Sequence, residues 1–357
     1  PESDSTACAF ADLDGDADLD LLVHTMYRGL RVFQNNGELK FTEKTQTAGM
    51  VAAKGGMSLA VADYDMDGDL DIYVTRYRSE AMMDEVQATV RIKTEGSERS
   101  VSHFNNRPTT DPDLRNRFYI DQRGGIGEYG EEDTLYRNLG GFAFEAVDWT
   151  DGTFLDDQAQ PLNEPPRDWG LAVQFHDLNH DGLPDLYVCN DFDTPDRIWI
   201  NAGNGSFQAM APQTLRQTSW FSMGMDVADV NRDGEDDILV LDMLARDHAT
   251  RMNQLGDVKP MLELIQRPSF VPQYMKTTLQ MNRGNLSFAE VGQWAGVSAS
   301  DWAWGVCFLD VDLDGFEDVL ISNGHERNGR DIDVSNQLKA FRKSGDRSRK
   351  EILQKRM

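Results

Sequence analysis

Cysteine, histidine and positive charge are scarce in this chain of 357 residues, and each shortage argues against a class of protein. The three cysteines, Cys8, Cys189 and Cys307, are odd in number and follow no zinc-ligand spacing, so neither a disulfide scaffold nor a zinc module is expected. Each lies in or beside an apolar, strand-like run, and we expect three buried free thiols. The formal net charge of −26 argues against nucleic-acid binding, which needs a basic surface.

Long apolar runs and catalytic motifs are also missing. No apolar stretch is long enough to span a membrane. The histidines follow no His-Glu-x-x-His spacing, and the sequence has no serine elbow, Gly-x-Gly-x-x-Gly or phosphate loop. We therefore expect no enzyme, with a polysaccharide-active site assembled from several repeats as the least favoured alternative. Because the chain begins with Pro1 and enters a repeat almost at once, we expect a processed or partial product of a longer chain.

The most informative stretch is an acidic loop followed by the apolar residues Ile72–Val74. Its carboxylates occupy loop positions 1, 3, 5 and 9, namely Asp63, Asp65, Asp67 and Asp71. Alternate side chains of a tight loop converge on one point, and clustered carboxylate oxygens suit Ca²⁺. An EF-hand begins in the same way, but it needs a Glu at position 12 and flanking helices. Both flanks here have the pattern of strands, which indicates a different calcium loop.

The same loop occurs five times, which predicts about five Ca²⁺ ions, one in each repeat. The other four copies, in chain order, are Asp12, Asp14, Asp16 and Asp20; Asp177, Asn179, Asp181 and Asp185; Asp229, Asn231, Asp233 and Asp237; and Asp310, Asp312, Asp314 and Asp318. Glycine occupies position 6 in the last four copies, whereas the first copy has Ala17 there and Gly15 at position 4. We expect the ions to be structural and to neutralise the acidic clusters.

Each of the first four loops is followed by a second pattern of apolar residues, Asn, a Gly turn and Phe. Its copies are Val32–Gly37 with Phe41, Leu135–Gly140 with Phe144, Ile198–Gly203 with Phe207, and Leu279–Gly284 with Phe288. Asn and Gly tolerate the positive φ of tight hairpin turns. The repeat is therefore strand a, metal loop, strand b, connection, strand c, turn and strand d. This order predicts an all-β propeller of four-stranded antiparallel blades.

The repeats set the predicted domain organisation. We predict one propeller over residues 1–325 and a basic tail over 326–357 with helical patterns at 334–341 and 351–357. The five repeats lie at about 6–43, 57–147, 169–210, 222–291 and 302–325. The fifth repeat stops after strand b.

The longest connections are predicted to lie on one face. Because the metal loops all join strand a to strand b, the b–c connections at 76–133 and 243–276 belong to the opposite face. The d–a connection at 146–167 is expected there as well. Weak helical spacing within 80–99 and at 261–265 suggests surface helices. Loops on a rigid scaffold commonly carry binding, so this face is the expected partner surface.

Four tryptophans lie just before strand a of the third, fourth and fifth repeats. They are Trp169, Trp220, Trp302 and Trp304. Packing between neighbouring blades is the favoured interpretation, and stacking on a sugar or peptide is the alternative.

The Asp-x-Asp-x-Asp-Gly-x-x-Asp loop and the Leu-Tyr-x-Asn-x-Gly…Phe hairpin resemble the FG-GAP or VCBS repeat of integrin α-subunit propellers. Three longer stretches, Val188–Arg197, Gly224–Asp229 and Asp301–Gly305, are similar to bacterial relatives of the cartilage acidic protein family, which carry an ASPIC-type domain after the repeats. The resemblance implies a seven-bladed propeller in the complete protein. It also implies carbonyl ligands at position 7, which here are Asp18, Asp69, Leu183, Glu235 and Phe316.

These inferences combine into one expected function. We expect a calcium-stabilised, secreted, periplasmic or cell-surface module that binds a protein partner on the face opposite the metal loops, as the resemblance implies adhesion and export. A carbohydrate-binding propeller that uses the tryptophans is the alternative.

Overall fold

The computed structural model describes residues 4–50, 55–82, 85, 88–121, 124–192, 194–254, 271–324, 332–333 and 336–337. The all-β prediction is confirmed, since strands make up 41% of the structure and helices 5%. The predicted helices at 261–265, 334–341 and 351–357 lie wholly or largely outside the described residues. No helix in the described part of the chain is long and apolar enough to cross a membrane.

The chain divides into two compact units. The first comprises Pro1–Phe175, Leu183–Val188 and Ile198–Ala209, and the second comprises His176–Gly182, Cys189–Arg197 and Met210–Met357.

The first repeat forms a four-stranded antiparallel sheet in the first unit. Its strands, in spatial order, are β1 (Ser5–Ala11), β2 (Asp20–Thr25), β3 (Gly29–Asn35) and β4 (Phe41–Glu43). The order matches the predicted succession of strands a to d. Alternation along β1 leaves Cys8 exposed, so the prediction of a buried thiol is wrong at this position.

The second repeat contains a large insertion between its strands b and c. The repeat itself consists of β5 (Gly56–Ala62), β6 (Asp71–Arg76), β12 (Thr134–Asn138) and β13 (Phe144–Ala146). The inserted strands are β7 (Val90–Glu95), β8 (Glu98–Phe104), β9 (Arg107–Pro108), β10 (Phe118–Ile120) and β11 (Ile126–Glu128). They form a β7–β8–β9 sheet and a β10–β11 hairpin.

The prediction of a helix within 80–99 is therefore wrong for residues 90–99, which belong to the β7–β8 hairpin. Alternating apolar and basic residues, Val90 to Lys93, follow the period of a strand, and Gly96 supplies the positive φ of 63° at the turn between β7 and β8.

The third repeat forms a five-stranded sheet. Its strands are β14 (Phe154–Leu155), β15 (Gly170–His176), β16 (Asp185–Asn190), β17 (Arg197–Asn201) and β18 (Phe207–Ala209). The extra strand β14 comes from the connection at 146–167 and pairs in parallel with β18. Trp149 and Phe154 of this connection are buried in the core, so part of the connection packs into the fold.

Two hydrophobic clusters hold the first unit together. One joins apolar side chains of the first two sheets, including Leu22, Val32 and Ile72. The other packs Trp199 and Phe207 of the third sheet against residues of the second. Large aromatic side chains provide much of this burial, and each contributes on the order of 1.5–3 kcal/mol.

The second unit contains the fourth and fifth repeats. Its strands are β19 (Thr218–Ser219), β20 (Met225–Ala228), β21 (Asp237–Val240), β22 (Gln273–Tyr274), β23 (Thr278–Asn282), β24 (Phe288–Glu290), β25 (Ala303–Leu309) and β26 (Asp318–Asn323). Its helices are α1 (His248–Gln254) and α2 (Gly292–Ala295).

The fourth repeat forms the sheet β20–β21–β23–β24, and the fifth forms the pair β25–β26. Cys307 on β25 is exposed, which again contradicts the predicted buried thiol, whereas Cys189 is buried as predicted. Burial alternates around this residue, since Cys307 is exposed whereas its neighbours Val306 and Phe308 are half-buried.

Candidate metal centre

The aspartate at position 1 closes the turn in all five acidic loops. Its two carboxylate oxygens accept the N–H groups of positions 5 and 6 at 2.7–3.2 Å. The residues concerned are Asp12, Asp63, Asp177, Asp229 and Asp310. The repeated loop sequence therefore forms the same hydrogen-bonded turn in all five copies.

The backbone of each loop is left-handed at positions 4 and 6. Position 4 has φ between 59° and 76°, and position 6 has φ between 70° and 98°. In the first loop the glycine is at position 4, as Gly15, and Ala17 takes position 6 with φ of 70°. The first loop has its glycine at position 4 and a non-glycine residue at position 6, the reverse of the other loops. Its backbone nevertheless has a positive φ at both positions, as in the other four loops. Ala17 bears the strain of a left-handed conformation.

The aspartate at position 9 joins the loop to strand c. Four of these residues are fully buried, namely Asp20, Asp71, Asp185 and Asp237. In these four repeats Oδ1 of the aspartate accepts the backbone N–H of the strand-c asparagine at 2.8 Å. In the first two loops Oδ2 accepts the N–H of position 2, at 2.9 Å from Leu13 and 3.1 Å from Tyr64.

Burial makes the charged form of these carboxylates costly. Desolvation raises the pKa of Asp71 to about 7 and that of Asp237 to about 6, although backbone N–H donors partly oppose the shift. The pKa of Asp20 is raised for the same first reason. Neighbouring aspartates of the same loop add to each shift by repulsion. A cation beside these groups would favour the charged form.

In three loops the carboxylates of positions 1, 3 and 9 gather closely. One oxygen from each lies within 4.8 Å of the others, in the sets Asp12, Asp14 and Asp20; Asp63, Asp65 and Asp71; and Asp310, Asp312 and Asp318. The position-5 carboxylates Asp16, Asp67 and Asp314 lie outside these sets and accept the position-7 N–H at 2.8–2.9 Å.

The position-3 carboxylates leave an unsatisfied acceptor in the first two loops. Gln34 donates to Asp14 Oδ2 at 2.6 Å, and Arg137 Nε lies 3.3 Å from Asp65 Oδ2. The other oxygen of each, Oδ1, is buried without a hydrogen-bond partner. Buried acceptors of this kind are rare in native structures. An all-oxygen set with such an acceptor fits a hard cation such as Ca²⁺.

The third and fourth loops have Asn at position 3. Asn179 Nδ2 donates to Asp181 Oδ2 at 3.0 Å, and Asn231 Nδ2 donates to Asp233 Oδ2 at 2.9 Å. Their Oδ1 atoms accept the N–H of position 5. These loops present one fewer negative charge at the same turn. In the third loop, Asp177, Asn179 and Asp181 belong to the second compact unit and Asp185 to the first.

The predicted position-7 ligands lie beside the c–d turns. A Cβ added to Gly37 would lie 2.7 Å from Asp18 Oδ2, and one added to Gly140 would lie 3.4 Å from Asp69 Oδ2. In the second unit, a Cβ on Gly284 would lie 3.5 Å from Glu235 Oε1. The first, second and fourth metal loops are therefore adjacent to the c–d hairpin of their own sheet. That these position-7 carbonyls bind an ion stays a prediction.

Sequence reasoning missed the main role of the strand-c asparagines. Their Oδ1 atoms accept the N–H of the turn glycine two residues later, at 3.0–3.3 Å. In Asn138, Nδ2 donates to Leu70 O at 3.0 Å and also to Leu13 O of the preceding loop at 2.9 Å. Asn201 bonds Pro184 O at 3.3 Å and Tyr64 O at 2.7 Å in the same way. The recurrence of Asn in four repeats was the available signal.

The insertion in the second repeat is anchored by a buried ion pair. Arg117 Nε lies 2.5 Å from Glu128 Oε1, and the guanidinium packs over the rings of Phe104 and Phe118. Glu131 Oε2 accepts the N–H of Gly55 at 2.8 Å, which ties the insertion to its parent sheet. The β7–β8 hairpin extends from this base with most of its residues exposed.

The tryptophans take different environments. Trp169 is 5% exposed, packs edge-to-face on Tyr77 at 4.6 Å, and donates from Nε1 to Glu128 O. Trp220 stacks on Phe221 at 5.6 Å. Trp304 is 46% exposed and stacks on Trp302 at 6.3 Å. Packing explains Trp169, and Trp304 presents an aromatic surface to solvent.

A family model described as FG-GAP-like repeat matches residues 12–74 and 177–240. Two segments of the chain are therefore similar to the FG-GAP-like repeat. Both matched segments begin at position 1 of a metal loop, and they cover the first two loops and the third and fourth. The further relationship to integrin propellers or to the ASPIC family stays a prediction. No curated protein matches the sequence.

Solved structures show only distant similarity to this chain. A lectin from Agrocybe aegerita, whose structure concerns recognition of non-reducing terminal N-acetylglucosamine, is 16% identical with a TM-score of 0.31, over 89% of this chain and 74% of the lectin. The V. cholerae biofilm matrix protein Bap1 is 15% identical with a TM-score of 0.27, over 68% and 36%. A Trypanosoma rangeli sialidase is 10% identical with a TM-score of 0.29, over 96% and 57%. At these TM-scores the similarities carry no argument.

Proposed function

We propose that the FG-GAP repeats form blades of a calcium-stabilised β-propeller whose role is to bind a protein partner outside the cell. The supporting observation is the three-carboxylate group of the first and second loops, in each of which one buried oxygen has no hydrogen-bond partner. Asp12, Asp14 and Asp20 would hold one ion, and Asp63, Asp65 and Asp71 another. A bound cation would offset the repulsion within each group and replace the missing hydrogen bond.

The proposed role of the ion is structural. In each carboxylate group, position 1 follows strand a, and position 9 begins strand b and accepts a hydrogen bond from strand c. An ion held by the group therefore restrains all three strands. Since the folded loop binds the ion and the unfolded chain does not, bound calcium stabilises the fold by mass action. At a free concentration 100 times the dissociation constant, each site contributes about 2.7 kcal/mol.

The proposed partner surface is the insertion of the second repeat. It joins strands b and c, and therefore leaves its sheet at the end opposite the a–b metal loop. It contains its own sheet, a buried Arg117–Glu128 pair and an exposed hairpin, which gives it a defined shape. Defined loops on a rigid scaffold are suited to recognition.

Carbohydrate binding is the second candidate, and the exposed stacked Trp304 favours it. Flat aromatic faces with an exposed edge are suited to apolar sugar surfaces. Substituting Trp304→Ala should abolish retention on a glycan array if this candidate is correct, and should leave protein-partner capture unchanged. No catalytic role is proposed for either surface.

The test of the calcium proposal is thermal unfolding after chelation. Excess EDTA should lower the melting temperature, and added Ca²⁺ should restore it. The variant Asp65→Asn, which weakens the second loop, should show a smaller restoration, whereas Asp4→Asn, at an exposed aspartate outside the loops, should behave as the parent protein. An unchanged melting temperature on chelation, with no calcium detected by titration calorimetry, would contradict the proposal.

A further inference from the structure

A continuous series of hydrogen bonds connects the position-9 carboxylates of the first three repeats. In the first loop, Leu13 N–H donates to Asp20 Oδ2, and Leu13 O accepts from Asn138 Nδ2. Asn138 N–H in turn donates to Asp71 Oδ1 of the second loop. The residue at position 2 thus donates its N–H to the position-9 aspartate of its own loop and accepts, at its carbonyl, from the asparagine of the next repeat.

The same pattern continues one repeat further. Tyr64 N–H donates to Asp71 Oδ2, and Tyr64 O accepts from Asn201 Nδ2 at 2.7 Å. Asn201 N–H then donates to Asp185 Oδ1 at 2.8 Å. All atoms of this series belong to the first compact unit.

Burial protects the series from competition with water. Every residue in it, from Leu13 and Asp20 to Asp185 and Asn201, is at most 2% exposed. Hydrogen bonds in such an environment are stronger and more directional than at a surface, and a charged acceptor strengthens them further. A shift of one carboxylate is therefore transmitted to the peptide and amide that bond it.

We propose that Asn138 couples calcium binding between the first and second loops, so that an ion in one of them raises the affinity of the other. The inference rests on the proposed calcium sites. An ion held by Asp12, Asp14 and Asp20 fixes the Asp20 carboxylate and, through Leu13, the amide of Asn138. Asn138 then holds its own N–H towards Asp71, which orders the carboxylate group of the second loop before its ion arrives.

The alternative is that Asn138 only holds its turn. Both roles predict that an Asn138 variant loses stability, so stability alone does not separate them. Coupling is a free energy shared by two sites and is measured by disabling one site and recording affinity at the other. Asn35 supplies the matched control, because its Nδ2 donates to Leu19 O of its own repeat, whereas that of Asn138 also donates to Leu13 O of the preceding loop.

The experiment uses Tb³⁺ as the probe of the second loop. Tyr64 lies at position 2 of this loop, and its hydroxyl is bonded by Arg137, which also contacts Asp65. Excitation of tyrosine should therefore sensitise Tb³⁺ bound there, and the part of the signal that Tyr64→Phe removes is assigned to this site. The first loop is disabled by Asp14→Ala.

Asp14→Ala should weaken Tb³⁺ binding at the second loop by at least about fivefold, the lower end of typical coupling. In an Asn138→Ala background the same substitution should have no further effect, whereas in Asn35→Ala it should act in full. An unchanged affinity after Asp14→Ala alone would overturn the coupling, and this arm does not depend on whether Asn138→Ala folds. An equal effect in all backgrounds would also overturn it. Absence of any Tb³⁺ or Ca²⁺ binding would instead overturn the proposed function.

Discussion

Acidification should destabilise the first unit through a single buried histidine. His24 on β2 is fully buried, its Nδ1 is 3.1 Å from Ser58 O, and its Nε2 has no partner. Burial is the largest cause that lowers its pKa to about 4, and repulsion by the buried Arg76 acts in the same direction, although the Ser58 contact opposes it. The ring is therefore neutral in the folded protein at pH 7 and resists protonation.

The magnitude follows from linkage. The unfolded chain binds a proton at the ordinary histidine pKa of about 6.5, and the folded chain only near 4, so the contribution is intact above pH 6.5 and is lost as the pH falls towards 4. At about 1.4 kcal/mol for each pH unit between these values, the loss is about 2 kcal/mol at pH 5 and about 3 kcal/mol at pH 4.

Urea unfolding of the parent and His24→Gln, at fixed calcium between pH 7.5 and 4, measures this loss as a difference. Contributions from the acidic loops are common to both proteins and cancel in the difference, provided that the sites are independent. Relative to His24→Gln, the free energy of unfolding of the parent should fall by about 2 kcal/mol at pH 5 and about 3 kcal/mol at pH 4. His248→Gln, on exposed α1, should leave the profile unchanged. Parallel profiles for the parent and His24→Gln would refute the reasoning.

Three other substitutions test features of the fold by chemical unfolding. Ala17→Gly should raise the free energy of unfolding by about 0.5–1 kcal/mol by relieving the positive φ at position 6, and an unchanged midpoint would contradict the strain. Arg117→Met should cost about 3 kcal/mol, because it leaves the buried Glu128 carboxylate without its closest cation; the double variant with Glu128→Gln should recover part of the loss. Gly130→Ala should destabilise the protein by about 3 kcal/mol, because its Cβ would lie 1.8 Å from Asp168 O, and an unchanged free energy of unfolding would contradict this close approach.

The loops and the strand order could be predicted because their signals are local. A position-1 aspartate bonds N–H groups four and five residues later, so the loop sequence carries its own geometry, as in Asp63 with Gly68. The order of strands a to d follows from the acidic loop, the Asn/Gly turn and the alternation of apolar residues. The sheets of the first four repeats show this order. These features need no knowledge of what lies across the sheet.

The features that were missed depend on contacts remote in sequence. Phe154 joins the third sheet because its ring fits between Trp149, Trp199 and Phe207, and nothing local in the segment at 146–167 marks it as a strand. Cys8 and Cys307 were placed in the core from strand pattern alone, but a strand has two faces, and burial of each depends on whether another sheet covers it. The amide contact from Asn138 to Leu13 spans 125 residues.

The aspartate at position 9 shows why metal binding and folding are difficult to separate in this chain. Asp71 supplies an oxygen to the three-carboxylate group and also accepts two backbone N–H groups from different segments. Its substitution by Ala would remove a proposed ligand and leave two buried donors unsatisfied, each at a cost of about 1–3 kcal/mol. The backbone donor that acts on Asp65 is the Asp67 N–H of its own loop, so its substitution removes charge without breaking a bond to strand c. A comparison of the two variants with and without calcium therefore separates the contribution of the ion from that of the hydrogen bonds.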